Sequence, residues 1–361
     1  MTTRPIRKWL ILVIYLALAI FVFQLWLRPA IDHNHNKPLL CLHTMVTGQA
    51  PCLYVRRQLI PLIIRGVNFA LPGVWRQSLT RMAQEDQRLA GIFARNPIDA
   101  DHFSEYIIAA ALLLACLVGF AYAIRLLFLK LYSGSALAAD LVPIFALLWL
   151  PVTFREANLA YLHDFPTLLL FTLSLYLLAG QRWSIFYLVF ALGCLNKETF
   201  ILVTPIFAWY YLRRMPRTRL LQHLAAQLAI FVVIQGTLYW SFQHNPGGQL
   251  EVHLLGHNVY VLRHLPYDII SVLGLFVVVG GLFHDWQHKP RLLKCGLGVL
   301  AVVLPLAMVF AWIDELRAYY EFFPVVMLLL FHTFSKYALA ESLRGHERTA
   351  SKPAAERQER L

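Results

Sequence analysis

Three short stretches of this chain concentrate acids and bases beside long apolar runs. The first is Tyr161-Leu162-His163-Asp164-Phe165-Pro166, with Arg155 and Glu156 just before it. The second is Asn196-Lys197-Glu198-Thr199. The third is Asp314-Glu315-Leu316-Arg317-Ala318-Tyr319-Tyr320-Glu321, which leads into Phe322-Phe323-Pro324. Ionisable groups at such boundaries are costly and tend to be functional. A carboxylate there can act as general base toward a hydroxyl. A lysine or arginine can hold a phosphate, arginine through two parallel hydrogen bonds. Carboxylates and a phosphate can also share a divalent cation. This combination suits transfer of a group from a phosphate-linked donor. The plainer reading is that charges at the ends of apolar runs mark an interface, with Lys197 and Glu198 paired to each other. Glu315 and Arg317 are too close in sequence to share a helix face, so each is expected to pair elsewhere.

The elements that must position these residues are helices in lipid. The chain has 361 residues, 59% of them hydrophobic, and a mean hydropathy of +0.58, outside the range of soluble globular proteins. Crossing the hydrocarbon core takes about 20 apolar residues. Such stretches fall near 9–27, 106–128, 134–152, 165–180, 183–195, 199–212, 220–241, 267–284, 295–312 and 322–336. The runs at 183–195 and 199–212 are short and share the break Leu195-Asn196-Lys197-Glu198-Thr199. They read as half-depth helices meeting at a polar site, a backbone form that survives only where protein or water shelters it. The fold class expected is all-α, a polytopic transmembrane bundle of about ten spans.

Orientation follows from lysine and arginine placement. Arg4, Arg7 and Lys8 precede the first run, which puts the N-terminus in the cytoplasm. Alternating from there, Arg125, Lys130, Arg182, Arg213, Arg214, Arg217, Arg219, Lys289, Arg291 and Lys294 fall on the same side, as does the basic tail. The short outer loops hold Arg155, Lys197, Arg263 and Arg317. Both termini are therefore cytoplasmic, and all three charged stretches face the opposite compartment. The net charge of +12 is explained by this bias and does not indicate nucleic acid. The first run lacks a small-x-small cleavage site and reads as an uncleaved anchor.

One membrane domain, 1–340, is expected, followed by a charged cytoplasmic tail, 341–361. The domain includes an extracytoplasmic loop, 28–105. Within that loop 59–74 is apolar but interrupted by Arg65, Asn68, Pro72 and Gly73, which suggests an amphipathic helix lying at the interface. Residues 75–105 read as a solvated charged helix. Of five cysteines, Cys41 and Cys52 share the outer loop and are candidates for a disulfide or for two unrelated thiols. His253 and His257, four apart, with His264 following, invite a zinc reading, but the HExxH glutamate is missing, and an interfacial loop fits better. No metal ligands are assigned, and no P-loop, GxGxxG or nucleophile elbow is present.

Four stretches resemble the GT-C superfamily of polytopic glycosyltransferases that use polyprenyl-phosphate sugars, in particular its poorly characterised bacterial members. Arg56/Arg57-Gln58-Leu59-Ile60-Pro61 resembles a YRxLxP-type segment of the first outer loop. Tyr161…Asp164-Phe165-Pro166, Leu195-Asn196-Lys197-Glu198-Thr199 (similar to LNRET) and Glu315-Leu316-Arg317…Pro324 (similar to ExR…P) follow in order. The resemblance implies transfer of a sugar from a polyprenyl-phosphate donor to an envelope glycan or lipid acceptor, at the outer face of a bacterial inner membrane. It implies donor-phosphate roles for Arg56, Arg57, Lys197 and Arg317, with Glu198 and Glu315 orienting them, and no cofactor beyond an optional divalent cation. Enzymes of this superfamily carry a catalytic acid or acidic pair just after the first span. This chain offers Asp32 alone there, Glu85-Asp86 coming much later, so Asp32 and Asp164 are rival bases. A transporter or lipid-carrier flippase, or a non-catalytic scaffold of envelope synthesis, are the competing readings.

Overall fold

The computed structural model describes residues 3–36, 42–89, 91, 100–132, 136–154, 161–247, 254–264, 269–310, 312 and 315–338, with side chains in the first helix described from Trp9 to Leu27. Every regular element among them is helical. In chain order the α-helices are α1 (Thr3–Asn36), α2 (Leu42–Thr47), α3 (Cys52–Val55), α4 (Leu59–Ala70), α5 (Gly73–Glu85), α6 (Phe103–Leu131), α7 (Ala136–Trp149) and α8 (Asp164–Ala179). They continue with α9 (Trp183–Asn196), α10 (Val203–Tyr211), α11 (Arg217–Ser241), α12 (Leu254–His264), α13 (Ile269–Phe283), α14 (Arg291–Phe310) and α15 (Phe323–Ala338).

Five helical segments are long and apolar enough to cross a membrane, namely Trp9–Leu27, Ala100–Leu131, Ala136–Thr153, Arg217–Ser241 and Arg291–Val309. The runs expected at 165–180, 183–195, 267–284 and 322–336 lie in shorter apolar helices, and 199–212 is divided into a 3₁₀ turn, Glu198–Leu202, and α10. At 1.5 Å per residue, the 16 residues of α8 span about 24 Å, less than a hydrocarbon core of about 30 Å.

Burial separates the two groups. In α1 the face Tyr15, Ala19, Val22, Trp26 is buried while Trp9, Val13, Leu16 and Ile20 are exposed, the one-sided stripe of a peripheral helix. Exposed Leu228, Val232, Val233 and Trp240 on α11, and Leu273, Leu275, Phe276 and Val277 on α13, are similarly uncovered by protein. Helix α8 is covered on nearly every side, with Phe165, Leu168, Phe171, Thr172, Leu175 and Leu178 all fully buried. It forms the axis against which α6, α9 and the start of α15 pack.

The break after α9 is set by local chemistry. Lys197 adopts an extended backbone, φ −161° and ψ 137°, and ends the helix. The chain then turns so tightly that the Phe200 ring lies on Gly193, where a Cβ would meet ring carbons at 2.3 Å. Only glycine permits that approach. Asn196 anchors the turn by donating from Nδ2 to His163 O at 3.0 Å and to Thr167 Oγ1 at 2.8 Å. Gln58 N–H donates to Leu195 O at 2.9 Å, which brings the Arg56-Arg57 corner to the same place. Trp26 packs on Phe165 with centroids 5.1 Å apart, so α1 meets the start of α8 ten residues before its own end.

The described residues of the 28–105 segment are largely helical, as the sequence suggests. Helix α4 buries Leu59, Ile60, Pro61 and Ile64 and leaves Leu62, Val67 and Phe69 uncovered. The disulfide candidate is corrected, since Cys52 is a free thiol whose Sγ lies 3.0 Å from Asn245 O and 3.3 Å from Phe242 O. Asn245 donates in turn to Gly48 O and Ala50 O, both at 2.8 Å. Hydrogen bonds thus join the 48–52 and 242–245 segments there. Cys41, Arg155, Glu156, His253, Asp314 and the tail from 339 lie outside the described residues.

Candidate functional site

The bundle brings the three charged stretches together. Arg317, on the 3₁₀ turn Leu316–Tyr319, places Nη1 3.7 Å from Asp164 Oδ2, pairs with Glu315 through Nη2, and stacks over the Tyr161 ring at 4.0 Å. Asp164 opens α8, and its Oδ2 also accepts the Tyr161 N–H at 3.0 Å. Lys197 pairs with Glu321 at 2.9 Å, their side chains 8% and 1% exposed, and Thr199 donates its hydroxyl to the same carboxylate oxygen. Arg57 reaches across to Glu198, with Nη2 to Oε1 at 2.9 Å and Nε to Oε2 at 3.4 Å.

Two expected pairings are therefore corrected. Lys197 and Glu198 are neighbours in sequence but point to different partners, because the extended backbone at Lys197 sends successive side chains to opposite sides. Glu315 and Arg317 do pair with each other, because Glu315 precedes the 3₁₀ turn with a non-helical backbone, φ −88° and ψ 80°, rather than sharing a helix with Arg317, which also reaches Asp164. The adjacent arginines also diverge. Arg57 joins the cluster, while Arg56 donates from Nε to Cys52 O at 3.0 Å and lies over Tyr239 at 5.8 Å. Asp32 lies on α1 six residues beyond Trp26, about 9 Å further along the helix, and its side chain is outside the described set.

His163 sits at the centre. Its Nε2 is 3.1 Å from Arg57 Nη1. A guanidinium only donates, so Nε2 accepts and the ring proton resides on Nδ1. Burial, reinforced by Arg57, Lys197 and Arg317, holds the imidazole well below its usual range. The ring is neutral, and its 3.6 Å approach to Asp164 is not an ion pair. For Glu198, burial opposes the charge, yet the Arg57 guanidinium and its hydrogen bonds prevail and lower the carboxyl to about 2. The Glu198 side chain remains 44% exposed, so solvent reaches it beside the Arg57 guanidinium. Arg57 and Arg317 are each held above the usual arginine value, burial being outweighed by the carboxylates beside them.

Several buried polar atoms in the cluster have no hydrogen-bond partner, namely His163 Nδ1, Arg317 Nε and Nη1, and Glu321 Oε2. Leaving such atoms unmet costs about 1–3 kcal/mol each, more for charged groups, so they mark a place where a ligand or water completes the structure. A resident metal does not fit here. The four carboxylates alternate with three cations, and the group of three metal-ligating side chains found among the described residues lies elsewhere, at His43, His102 and Glu105. Of the later histidines His253, His257 and His264, only His257 and His264 are described. His257 stacks on Trp312 and His264 bonds Tyr260 O at 2.8 Å.

His163, Tyr161 and Glu321 lay inside the charged stretches but were given no role from sequence. Their signal was position alone, since no spacing rule ties Glu321 to Lys197 across 124 residues of chain. No protein-family model, no curated protein and no solved structure matches this chain.

Proposed function

We propose that this chain is an integral membrane glycosyltransferase of GT-C type, moving a sugar from a polyprenyl-phosphate donor to a glycan or lipid hydroxyl at the extracytoplasmic face of a bacterial inner membrane. The shorter apolar helices complete about ten crossings in this reading, with α4 in the outer interface. The observation that carries it is the convergence of Arg57, Lys197 and Arg317 on His163 beside Asp164, with Arg317 buried and two of its nitrogens lacking hydrogen-bond acceptors. Phosphate oxygens are the acceptors that such donors suit, and in a desolvated setting they bind strongly.

In this scheme the acceptor hydroxyl gives its proton to a carboxylate, and its oxygen bonds to the anomeric carbon. The bond from that carbon to the phosphate oxygen breaks, and the charge left on the polyprenyl phosphate is met by Arg317 and Lys197. Asp164 and Asp32 compete for the base. Asp164 is already engaged by Arg317 and the Tyr161 N–H, which orients it. Asp32 lies on α1 about 9 Å beyond the Trp26–Phe165 contact.

The test is transfer from a labelled polyprenyl-phosphate sugar in membranes. Asp164→Asn and Arg317→Lys should each lower the rate at least tenfold at unchanged protein level, Lys failing because it lacks the planar fork. Full activity in both variants would overturn the site. Label that crosses the membrane under an ion gradient, with no new glycosidic product, would favour transport, to which the broken segment 197–202 also lends itself.

A further inference from the structure

We propose that His43, His102 and Glu105 form a binding site for a transition-metal dication of the zinc type in the outer insertion. His43 is on α2, His102 ends the 3₁₀ turn Ala100–His102, and Glu105 lies in the first turn of α6. Their ligand atoms all lie within 4.8 Å of one another. His43 Nδ1 is 3.1 Å from Glu105 Oε2 and 3.3 Å from Oε1, and His102 Nδ1 is 4.0 Å from Oε1. Zinc with ligand bonds of about 2.0–2.1 Å sets tetrahedral donors about 3.3 Å apart. The His43–Glu105 pair already has that spacing, and His102 must close from 4.0 Å on Glu105 to reach it.

Chemistry and accessibility select the ion class. Two imidazole nitrogens and one carboxylate are the donor set of a three-ligand zinc site with a fourth position open, whereas magnesium and calcium require oxygen-rich shells. The imidazoles stack face to face, centroids 3.5 Å apart and planes within 9°, and both present Nδ1 to the same carboxylate, so binding turns one ring out of the stack until both nitrogen lone pairs meet at the ion. A simple ion pair accounts for one imidazole beside Glu105. It gives no reason for a second in parallel register. Glu105 is buried, with 6% of its side chain exposed, while His43 and His102 are 33% and 32% exposed. The carboxylate is thus held in place while the imidazole side stays reachable from solvent.

The position gives the metal a structural consequence. The triad fastens α2 to the base of α6 and closes the chain segment that carries Arg57, α4 and α5. Beneath it pack Leu42, Val46, Ile60, Ile64 and Ala109, with Leu162 against them, one residue before His163. Bound metal would brace the platform on which Arg57 and His163 sit, because binding free energy adds to the stability of the state that forms the site.

The experiment uses full-length, tag-free protein in detergent micelles, stripped with chelator and titrated with Zn²⁺ alone and Co²⁺ alone. The expected result is one saturable equivalent, a raised thermal unfolding midpoint, and the visible absorption of low-coordinate cobalt with nitrogen and oxygen ligands. His43→Ala and His102→Gln should each weaken binding by about a hundredfold or more, since losing even an outer-shell partner costs 10–100-fold. His257→Ala should bind as wild type. X-ray absorption at the zinc edge of the wild type, which requires no variant, should show nitrogen and oxygen neighbours only. Sulfur ligation, no uptake by the wild type, or equal affinity in the variants would overturn the site. Sugar transfer is read separately, so failure of either idea leaves the other standing.

Discussion

Replacing Lys197 by methionine strands Glu321 in the protein interior. The pair is 2.9 Å apart, with side chains 8% and 1% exposed, and Glu321 Oε2 has no hydrogen-bond partner. At that distance, with an effective dielectric of about 20, the attraction is about 6 kcal/mol. Removing two ions from water costs several kcal/mol each, so the intact pair contributes little net stability. Removing one member is different, because the desolvation of the other goes uncompensated, at a cost of about 3–5 kcal/mol. Thr199 supplies the stranded carboxylate with one hydroxyl donor, which puts the expected loss near the lower end, about 3 kcal/mol. Lys197→Met and Glu321→Met should each show it in equilibrium unfolding by dodecyl sulfate in mixed micelles. The double variant should lose less than either single change, giving a coupling energy of more than about 3 kcal/mol. Single losses under about 1 kcal/mol that simply add would show a solvated pair of the surface kind and would refute the reasoning.

Two further outcomes follow from the same geometry. Because the Glu198 carboxyl is lowered from 4.5 to about 2 in the folded chain, the unfolded chain takes up its proton first as pH falls. The Glu198 contribution is then fully present above about 4.5 and disappears toward about 2. The stability gap between wild type and Glu198→Gln, read as thermal midpoints in detergent, should hold constant above that window and close within it. A gap that widens there contradicts the pairing with Arg57. Gly193→Ala brings a Cβ to 2.3 Å from the Phe200 ring, and overpacking of this kind costs about 1–3 kcal/mol. The gain in helix propensity is at most about 1 kcal/mol. The midpoint should therefore fall, and partly recover with Phe200→Leu; a higher midpoint for Gly193→Ala would show that the turn relaxes freely.

The amino-acid sequence by itself determined the helical, apolar character of the chain and the three places where charge is tolerated. Hydrophobic run length is a local property, and a bilayer-sized apolar stretch allows few other structures. The break at Asn196-Lys197-Glu198-Thr199 was legible for the same reason, since a polar tetrad interrupts two apolar runs. What only the tertiary structure decided is which charge meets which. Lys197 and Glu198 are adjacent yet serve Glu321 and Arg57, because an extended residue turns its neighbours apart. Arg56 and Arg57 diverge at one corner, and His43 meets His102 and Glu105 only because α2 folds back onto the base of α6. Such pairings depend on the relative rotation and depth of helices packed over long loops. No spacing rule along the chain encodes that geometry, because it is set by how buried side chains such as Phe200 on Gly193 and Trp26 on Phe165 fill the space between helices.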